Sequence, residues 1–371
     1  MILQRISYEN FRNHRLLSYE PEEGINLVFG LNGSGKTSIL EGIHYCALTR
    51  GFVSAGDPEC LGWNADYFLV RGDFLSDDGR EIKVQVSYTK EKEKQVSVNR
   101  NEVKPFSSHI GRIPCITFAP SEIGIVTGPP SERRKFIDNA ISQTDRRYLE
   151  DLMAYRRILA QRNTLLLQLN ERKILKDATL TIWSERLAEI AAAIVSRRKG
   201  FIDVFSVRLQ EMYSELDVSE KPKIAYRCSL PGAMEVMDEK ELMNFFSKRF
   251  MEHEKTDILR AQTMTGPHRD DLVFLIGEKE IKKYASQGQI RTFLISLKLS
   301  QHRYYREMLG ENPICLLDDL FSELDVQRTA KILEVLGTFG QSIITSTERK
   351  DQRALRAVSI ESLKNNEEEN T

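Results

Sequence analysis

The chain has 371 residues, 41% of them hydrophobic and 29% charged, with a net charge of -1 at pH 7. Such a length and apolar content suit a globular protein of two or three domains, and the balanced charge excludes a uniformly basic nucleic-acid binder: any such surface must gather its cations on one face. Uncharged stretches such as Leu336 to Thr347 fall short of the roughly 18 apolar residues of a membrane span, and no signal peptide precedes the first strand, so a cytoplasmic protein without membrane contact is expected.

The first 125 or so residues alternate strands with turns. A strand starts at Ile2, and the apolar run Ile25, Leu27, Val28, Phe29 makes another. Directly after it, Gly30-Leu31-Asn32-Gly33-Ser34-Gly35-Lys36-Thr37 reads G-x-x-x-x-G-K-[ST], the P-loop pattern. Its glycines let successive backbone N–H groups face phosphate oxygens, Lys36 reaches the β/γ-phosphates, and the Thr37 hydroxyl can hold Mg²⁺. Ser38, Ile39, Leu40, Ile43 and Ala47 continue as a helix, whose positive N-terminal end faces the phosphates. Strands follow at Leu69 to Phe74, Ile82 to Tyr88, Val96 to Asn99 and Ile113 to Phe118.

Helix formers dominate from Ser131 to about Asp217, with Ser131 and Thr144 as expected N-caps. Tyr148, Leu152, Tyr155, Leu159 and Leu166 make one apolar stripe, and Trp183, Leu187, Ile190 and Ile194 make a second that Gly200 is expected to break. Neither stripe lasts the three to four heptads of a long coiled coil. Further on come a strand at Leu272 to Ile276, a helix from about Gln287 to Met308, a strand at Ile314 to Leu317, a helix near Val326 to Leu336 and a strand at Ser342 to Thr345. The five cysteines are scattered and never in C-x-x-C spacing, so buried thiols are expected.

Ile314-Cys315-Leu316-Leu317-Asp318-Asp319 is an apolar strand ending in two acids, the Walker B pattern. Asp318 would hold Mg²⁺ through water opposite Thr37, and Asp319 is placed to polarise an attacking water. Ahead of it, Tyr284-Ala285-Ser286-Gln287-Gly288-Gln289 opens a helix. The segment resembles the signature motif of ABC-type ATPases, with Ser286, Gly288 and Gln289 at an anion-binding helix start; as a plain N-cap, Ser286 needs no ligand. About 280 residues separate Lys36 from Asp318, so the N- and C-terminal stretches must fold into one lobe around an inserted arm. The expected division is 1–127 and 312–364 for the two parts of the ATPase lobe, 128–311 for a helical second lobe, and 365–371 for a frayed acidic tail.

These motifs, with Ser322 to Asp325 resembling a D-loop, look like the ABC-type head of SMC proteins. More closely, the chain resembles the RecF family of bacterial recombinational repair ATPases. The resemblance rests on Phe11-Arg12-Asn13, on the P-loop followed by Leu40-Glu41, and on Gly128-Pro129-Pro130-Ser131-Glu132-Arg133-Arg134. It extends through Tyr155-Arg156-Arg157, Gln161-Arg162-Asn163, the specific block Gly266-Pro267-His268-Arg269-Asp270-Asp271-Leu272, and Leu317-Asp318-Asp319 with Ser322 and Asp325. It implies an α/β fold, a P-loop ABC-type ATPase head with a mixed sheet around the P-loop helix and an inserted α-helical lobe. It further implies an ATP-dependent homodimer in which each P-loop faces the other subunit's Ser286, Gly288 and Gln289. Such a dimer binds DNA, hydrolyses ATP slowly, and acts with RecR and RecO to load RecA at gaps and single-strand/double-strand junctions.

Departures from the ABC pattern accompany the likeness. No Q-loop glutamine stands at Ala119-Pro120-Ser121-Glu122, Ser346 and Thr347 replace a switch histidine, and Asp319 replaces the usual Glu. These favour a slow switch over a fast motor and disfavour one alternative, the ATPase subunit of a membrane transporter; the signature-like block at Ser286 to Gln289 argues against another, a P-loop kinase. Arg12 is a candidate for nucleotide contact or for a structural ion pair, and Arg50 a weaker one of the same kind. Arg133, Arg134, Arg146 and Arg157 are the DNA-binding candidates, mainly for phosphate contacts. The His268 to Asp271 run is expected to be a lobe-joining loop that responds to nucleotide, since no companion ligand suggests a metal site.

Overall fold

The computed structural model describes residues 1–52, 56–236, 238–322, 324–349 and 355–368. In chain order, β1 (Ile2–Phe11), β2 (His14–Tyr19) and β3 (Ile25–Phe29) precede the P-loop, which opens α1 (Lys36–Leu48). The strands β4 (Tyr67–Leu75), β5 (Glu81–Thr89), β6 (Lys94–Val98), β7 (Asn101–Glu102) and β8 (Cys115–Phe118) follow. Helices then take over: α2 (Gly124–Thr127), α3 (Pro130–Thr144), α4 (Arg146–Glu171) and α5 (Ala178–Glu215). After β9 (Pro222–Arg227) and α6 (Glu239–Leu259) come β10 (Asp271–Ile276), β11 (Lys279–Glu280), α7 (Ile281–Tyr284) and α8 (Gln287–Leu309). The chain closes through β12 (Ile314–Leu317), α9 (Val326–Leu336), β13 (Ser342–Ser346), β14 (Leu355–Ser359) and α10 (Ile360–Glu368).

Two compact units share these elements: Met1–Ile123 with Glu211–Ser219 and Arg291–Thr371, and Gly124–Gln210 with Glu220–Ile290. The last crossing falls inside α8, earlier than the expected 311/312. The reason lies in the helix itself, whose residues from Phe293 to Tyr305 are largely buried as part of the first unit. A short return at Glu211–Ser219, where the end of α5 joins the first unit through an Arg303–Glu215 ion pair, was also not foreseen.

The first unit holds a six-stranded antiparallel sheet, β2-β1-β4-β5-β6-β7, and a five-stranded parallel sheet, β14-β3-β13-β12-β8. Strands of a parallel sheet are covered on both faces and read as continuous apolar runs, as β12 does with all four residues buried. The antiparallel strands alternate, β5 burying Val84, Val86 and Tyr88 between exposed Lys83, Gln85 and half-buried Ser87. Strands of both sheets pack on α1, which explains why that helix buries Ile39, Leu40, Ile43, Tyr45, Cys46 and Ala47 rather than a single stripe. Tyr8, Phe11, Phe68, Val70, Leu316 and Ile343 belong to the same core. At the C-terminal end, α10 extends to 368, so the expected tail begins inside a helix; 369–371 lie outside the described residues.

The second unit is helical around a small sheet, β11-β10-β9, in which Leu272 pairs with Tyr226 and Phe274 with Ile224. Helix starts differ from the sequence reading. Pro130 at the first position of α3 has its φ preset for a helix, so Ser131 sits inside the first turn. Thr144 ends α3, and the cap of α4 is Asp145, whose carboxylate accepts from Tyr148 N at 3.0 Å. Gly200 does not break α5. A glycine there costs about 1 kcal/mol, and burial of Val195 and Arg198 on one side and Phe201, Ile202 and Phe205 on the other carries the helix through. Of the cysteines, Cys46, Cys60, Cys115 and Cys315 are buried free thiols and Cys228 is half-buried.

Candidate nucleotide site

The P-loop joins the end of β3 to the start of α1. Gly35 occupies the N-cap position of α1 with φ +103°, and a Cβ there would come within 2.6 Å of the His14 ring, so only glycine fits both the backbone and the space. His14 is buried against the loop and its Nε2 bonds the Gly35 carbonyl at 3.0 Å; burial lowers its pKa. Lys36 donates to the carbonyls of Gly30 and Leu31, each at 2.7 Å, and arches over the loop. Burial lowers the pKa of this ammonium, while Asp318 and Asp319 pull it the other way. The Ser34 hydroxyl is buried with no hydrogen-bond partner among the described residues, a loose donor where phosphate-binding loops need one.

Parallel pairing of β12 with β8 and β13 brings the Walker B acids to the loop, Asp318 N donating to Phe118 O at 2.7 Å. Thr37 Oγ1 donates to Asp318 Oδ1 at 2.9 Å, across 281 positions of sequence. Thr345 at the end of β13 donates to the same oxygen at 2.6 Å and accepts from Asp319 N at 3.0 Å. Asp319 takes a left-handed backbone, φ +46°, in which acidic residues are tolerated. Lys36, Thr37, Ser38, Asp318, Asp319 and Thr345 thus line one cleft of about 740 Å³, within the usual range for small-molecule sites. Asn32, Gly33, Gly35, Pro120 and Thr347 line it too. The donor set of Thr37 hydroxyl and Asp318 carboxylate consists of the hard oxygens that suit Mg²⁺.

The turn between β1 and β2 buttresses this site. Asn13 Nδ2 donates to Gly33 O at 3.4 Å, and Ser38 Oγ donates to Asn13 Oδ1 at 3.1 Å. Arg12 forms a two-pronged ion pair with the buried Glu41 at 2.6 and 2.7 Å and donates to Glu59 O. Of its two expected roles the ion pair is the one present, although the side chain still lines the cleft. Arg50 offers its carbonyl to His44 Nδ1 at 2.7 Å. From α10, Lys364 Nζ donates to Ser34 O at 2.8 Å. Nothing in the sequence of that last helix signalled a P-loop contact.

Ser286 caps α8 in a reciprocal box: Ser286 N donates to Gln289 Oε1 at 2.9 Å, and Gln289 N to Ser286 Oγ at 3.3 Å. Ser286 and Gly288 are exposed at this helix start. Past the Walker B acids, Ser322 Oγ donates to Asp319 O at 3.2 Å and receives a bond from Arg291 at 2.8 Å. Asp325 caps α9 by accepting from Arg328 N at 2.8 Å; Glu323 between them lies outside the described residues.

The AAA domain family profile matches residues 5–224. Over 351 residues the chain is 54% identical to the DNA replication and repair protein RecF of Chlorobium phaeovibrioides, covering 95% of each. The chain belongs to the RecF family. A solved structure described as the recombination mediator protein RecF with ATP in the RecFOR pathway superposes with a TM-score of 0.87 at 35% identity, over 95% of this chain and 93% of that one. The Smc head domain of Pyrococcus furiosus, at 14% identity and TM-score 0.54 over 100% and 99% of the two chains, shares the fold. RecF-family membership, with a P-loop ATPase head and a helical insertion, disfavours the transporter reading. No helix among the described residues is long and apolar enough to cross a membrane.

The family's Gly-Pro-His-Arg-Asp-Asp block folds into a polar network within the second unit. His268 bonds Tyr155 OH at 2.6 Å and Thr263 O at 3.1 Å, and burial lowers its pKa to about 4. Asp270 is fully buried and accepts from Tyr226 OH and from Ser229 N. These partners all belong to the second unit, where a lobe-joining loop was expected; the described residues contain no cluster of His, Cys, Asp or Glu that could hold a metal.

The same network removes one DNA candidate. Arg133 is buried and forks onto Asp271 at 2.8 and 3.0 Å, which leaves it unable to reach a phosphate. Arg134 is half-buried and donates to Asp270 O at 2.7 Å. Arg146 is exposed and paired with Glu150, and Arg157 is exposed. Arg162, part of the Gln161-Arg162-Asn163 block, lies fully buried between Asp257, Ser184 and Thr263.

Proposed function

We propose that the cleft binds Mg·ATP and that ATP switches the RecF-family chain into a homodimer that grips DNA. The observation that carries this reading is the Thr37–Asp318 hydrogen bond, which ties the P-loop helix to the Walker B strand. Lys36 and the P-loop N–H groups hold the β/γ-phosphates, with Gly30, Leu31, Asn32, Gly33, Ser34, Gly35 and Ser38 as the cradle. Mg²⁺ held by Thr37 and Asp318 would neutralise charge on the transferring phosphoryl group. Asp319 orients the attacking water, while Arg12 supports the site through Glu41. Ser286, Gly288 and Gln289 of a second copy close over the γ-phosphate, and Ser322 and Asp325 lie in the D-loop between the two sites.

The repair-protein names of the relatives and the solved recombination mediator RecF of the RecFOR pathway support DNA as the macromolecular ligand and RecR and RecO as partners; RecA loading at gaps is the outcome this reading assigns. Arg146 and Arg157, and less readily Arg134, remain the candidates for phosphate contact. Pro120 and Thr347, standing at the cleft in place of a Q-loop glutamine and a switch histidine, favour slow, DNA-stimulated hydrolysis. Asp319→Asn is expected to cut turnover by about 100-fold or more, the scale of general-base catalysis, while keeping ATP binding and lengthening residence on gapped DNA. Unchanged turnover in that variant contradicts the assignment.

A further inference from the structure

Among the large hydrophobic side chains of the described residues, Trp63 is the most exposed, with 96% of its surface open. A single exposed apolar residue is ordinary, but an indole offers a broad π-face with a polar handle, and such rings are enriched at contact surfaces. Its place is specific. Trp63 lines the same cleft as the P-loop, Asp318 and Asp319, together with Arg12, Glu59 and Leu61. The phosphate end of that cleft is built from glycines, Lys36 and hydroxyls, whereas Leu61, Trp63 and Pro120 supply its apolar lining.

The backbone under the indole is fixed although the side chain is free. Leu61 bridges Phe11, Gly62 N donates to Asn10 O at 2.8 Å, and Ala65 N closes a turn onto Gly62 O at 3.1 Å. A Cβ at residue 62 would stand 2.9 Å from the Asn10 carbonyl oxygen, so glycine is what allows this approach. Arg12 N donates to Cys60 O at 2.8 Å, tying the same segment to the turn that buttresses Gly33 and Ser38. The backbone that carries the indole is thereby held at a set position relative to the phosphate loop.

We infer that Trp63 is the platform on which the nucleotide's base stacks, and that it makes the cleft select a nucleoside triphosphate over a bare polyphosphate. The inference rests on the triphosphate reading of the P-loop and adds the other end of the ligand. Stacking is tolerant of base identity because every base has a π-face, so Trp63 contributes affinity with little preference among purines.

The test measures binding of Mg·ATP and of Mg·tripolyphosphate to the full chain by calorimetry, for wild type, Trp63→Ala, Trp63→Phe and Lys36→Ala. Trp63→Ala is expected to weaken ATP about tenfold, the scale of losing one base stack, and to leave tripolyphosphate unchanged; Trp63→Phe recovers most of the loss. In a Trp183→Phe background, where Trp63 is the remaining indole, ATP quenches the fluorescence and tripolyphosphate does not. Equal weakening of both ligands, or ATP affinity unchanged in Trp63→Ala, overturns the platform while leaving the phosphate site standing. If wild type binds neither ligand, or Lys36→Ala binds both as wild type does, the triphosphate reading itself falls.

Discussion

Thr345 bonds at once to the side chain of Asp318 and to the backbone of Asp319, and it is buried. Replacing it with Val keeps the shape but removes the hydroxyl, leaving the Asp319 N–H without its acceptor. Thr345→Val should cost about 1–3 kcal/mol in urea melts, the penalty of an unsatisfied buried group. It should also slow hydrolysis more than it weakens ATP binding, because Asp319 loses the contact that holds its left-handed turn. Arg12 gives a second prediction. Arg12→Ala strands the buried Glu41 carboxylate, and a loss of roughly 3 kcal/mol is expected in the same melts. The P-loop and the two acids were legible because their chemistry dictates residue type and spacing. Thr345 was not, since a threonine in a strand reads as an ordinary β-former until the parallel pairing of β12 and β13 sets it beside Asp318. Lys364 was hidden for the same reason, its contact with Ser34 depending on where α10 packs.

At the scale of elements, Gly200 shows how packing overrides a local preference. Its position on α5 is exposed, and an added Cβ would meet nothing within 4 Å. Gly200→Ala should therefore stabilise the protein by about 0.5–1 kcal/mol, read as a higher thermal midpoint. A lower midpoint would mean that this helix is not continuous there. The caps were misplaced for a different reason: Ser131 and Thr144 are good capping residues by type, but the cap positions fall at Pro129, two residues before Ser131, and at Asp145, one residue after Thr144. Strand β9 and helix α6 also went unread, the first because Pro222 opens it and its register depends on β10, the second although Leu242, Phe246 and Phe250 form a clear stripe.

At the scale of the whole molecule, the order of motifs sufficed to join the two ends of the chain into one lobe, and the family likeness extends this to nearly full length. The exact unit boundary was beyond reach, because α8 is one uninterrupted helix and only its burial shows where it changes unit. Buried histidines make the fold sensitive to acid. Burial lowers His44 and His268 to about 4 and His302 to about 3, below the ordinary 6.5. The unfolded chain therefore binds these protons first, and stability is full above about pH 6.5 and drains away as pH falls toward 4, by up to about 3 kcal/mol for each such group. Urea midpoints at pH 7.5, 6 and 5 should fall in that order, and a midpoint that rises on acidification contradicts the assignment.

The central claim is that ATP in the P-loop cleft controls DNA binding. Its most direct measurement is the affinity for gapped duplex DNA, by fluorescence anisotropy at fixed salt, with and without Mg·ATP, for wild type and Lys36→Ala. Coupling of ordinary strength predicts about a tenfold or greater gain with ATP in wild type and none in Lys36→Ala. One DNA affinity across all four conditions would contradict it.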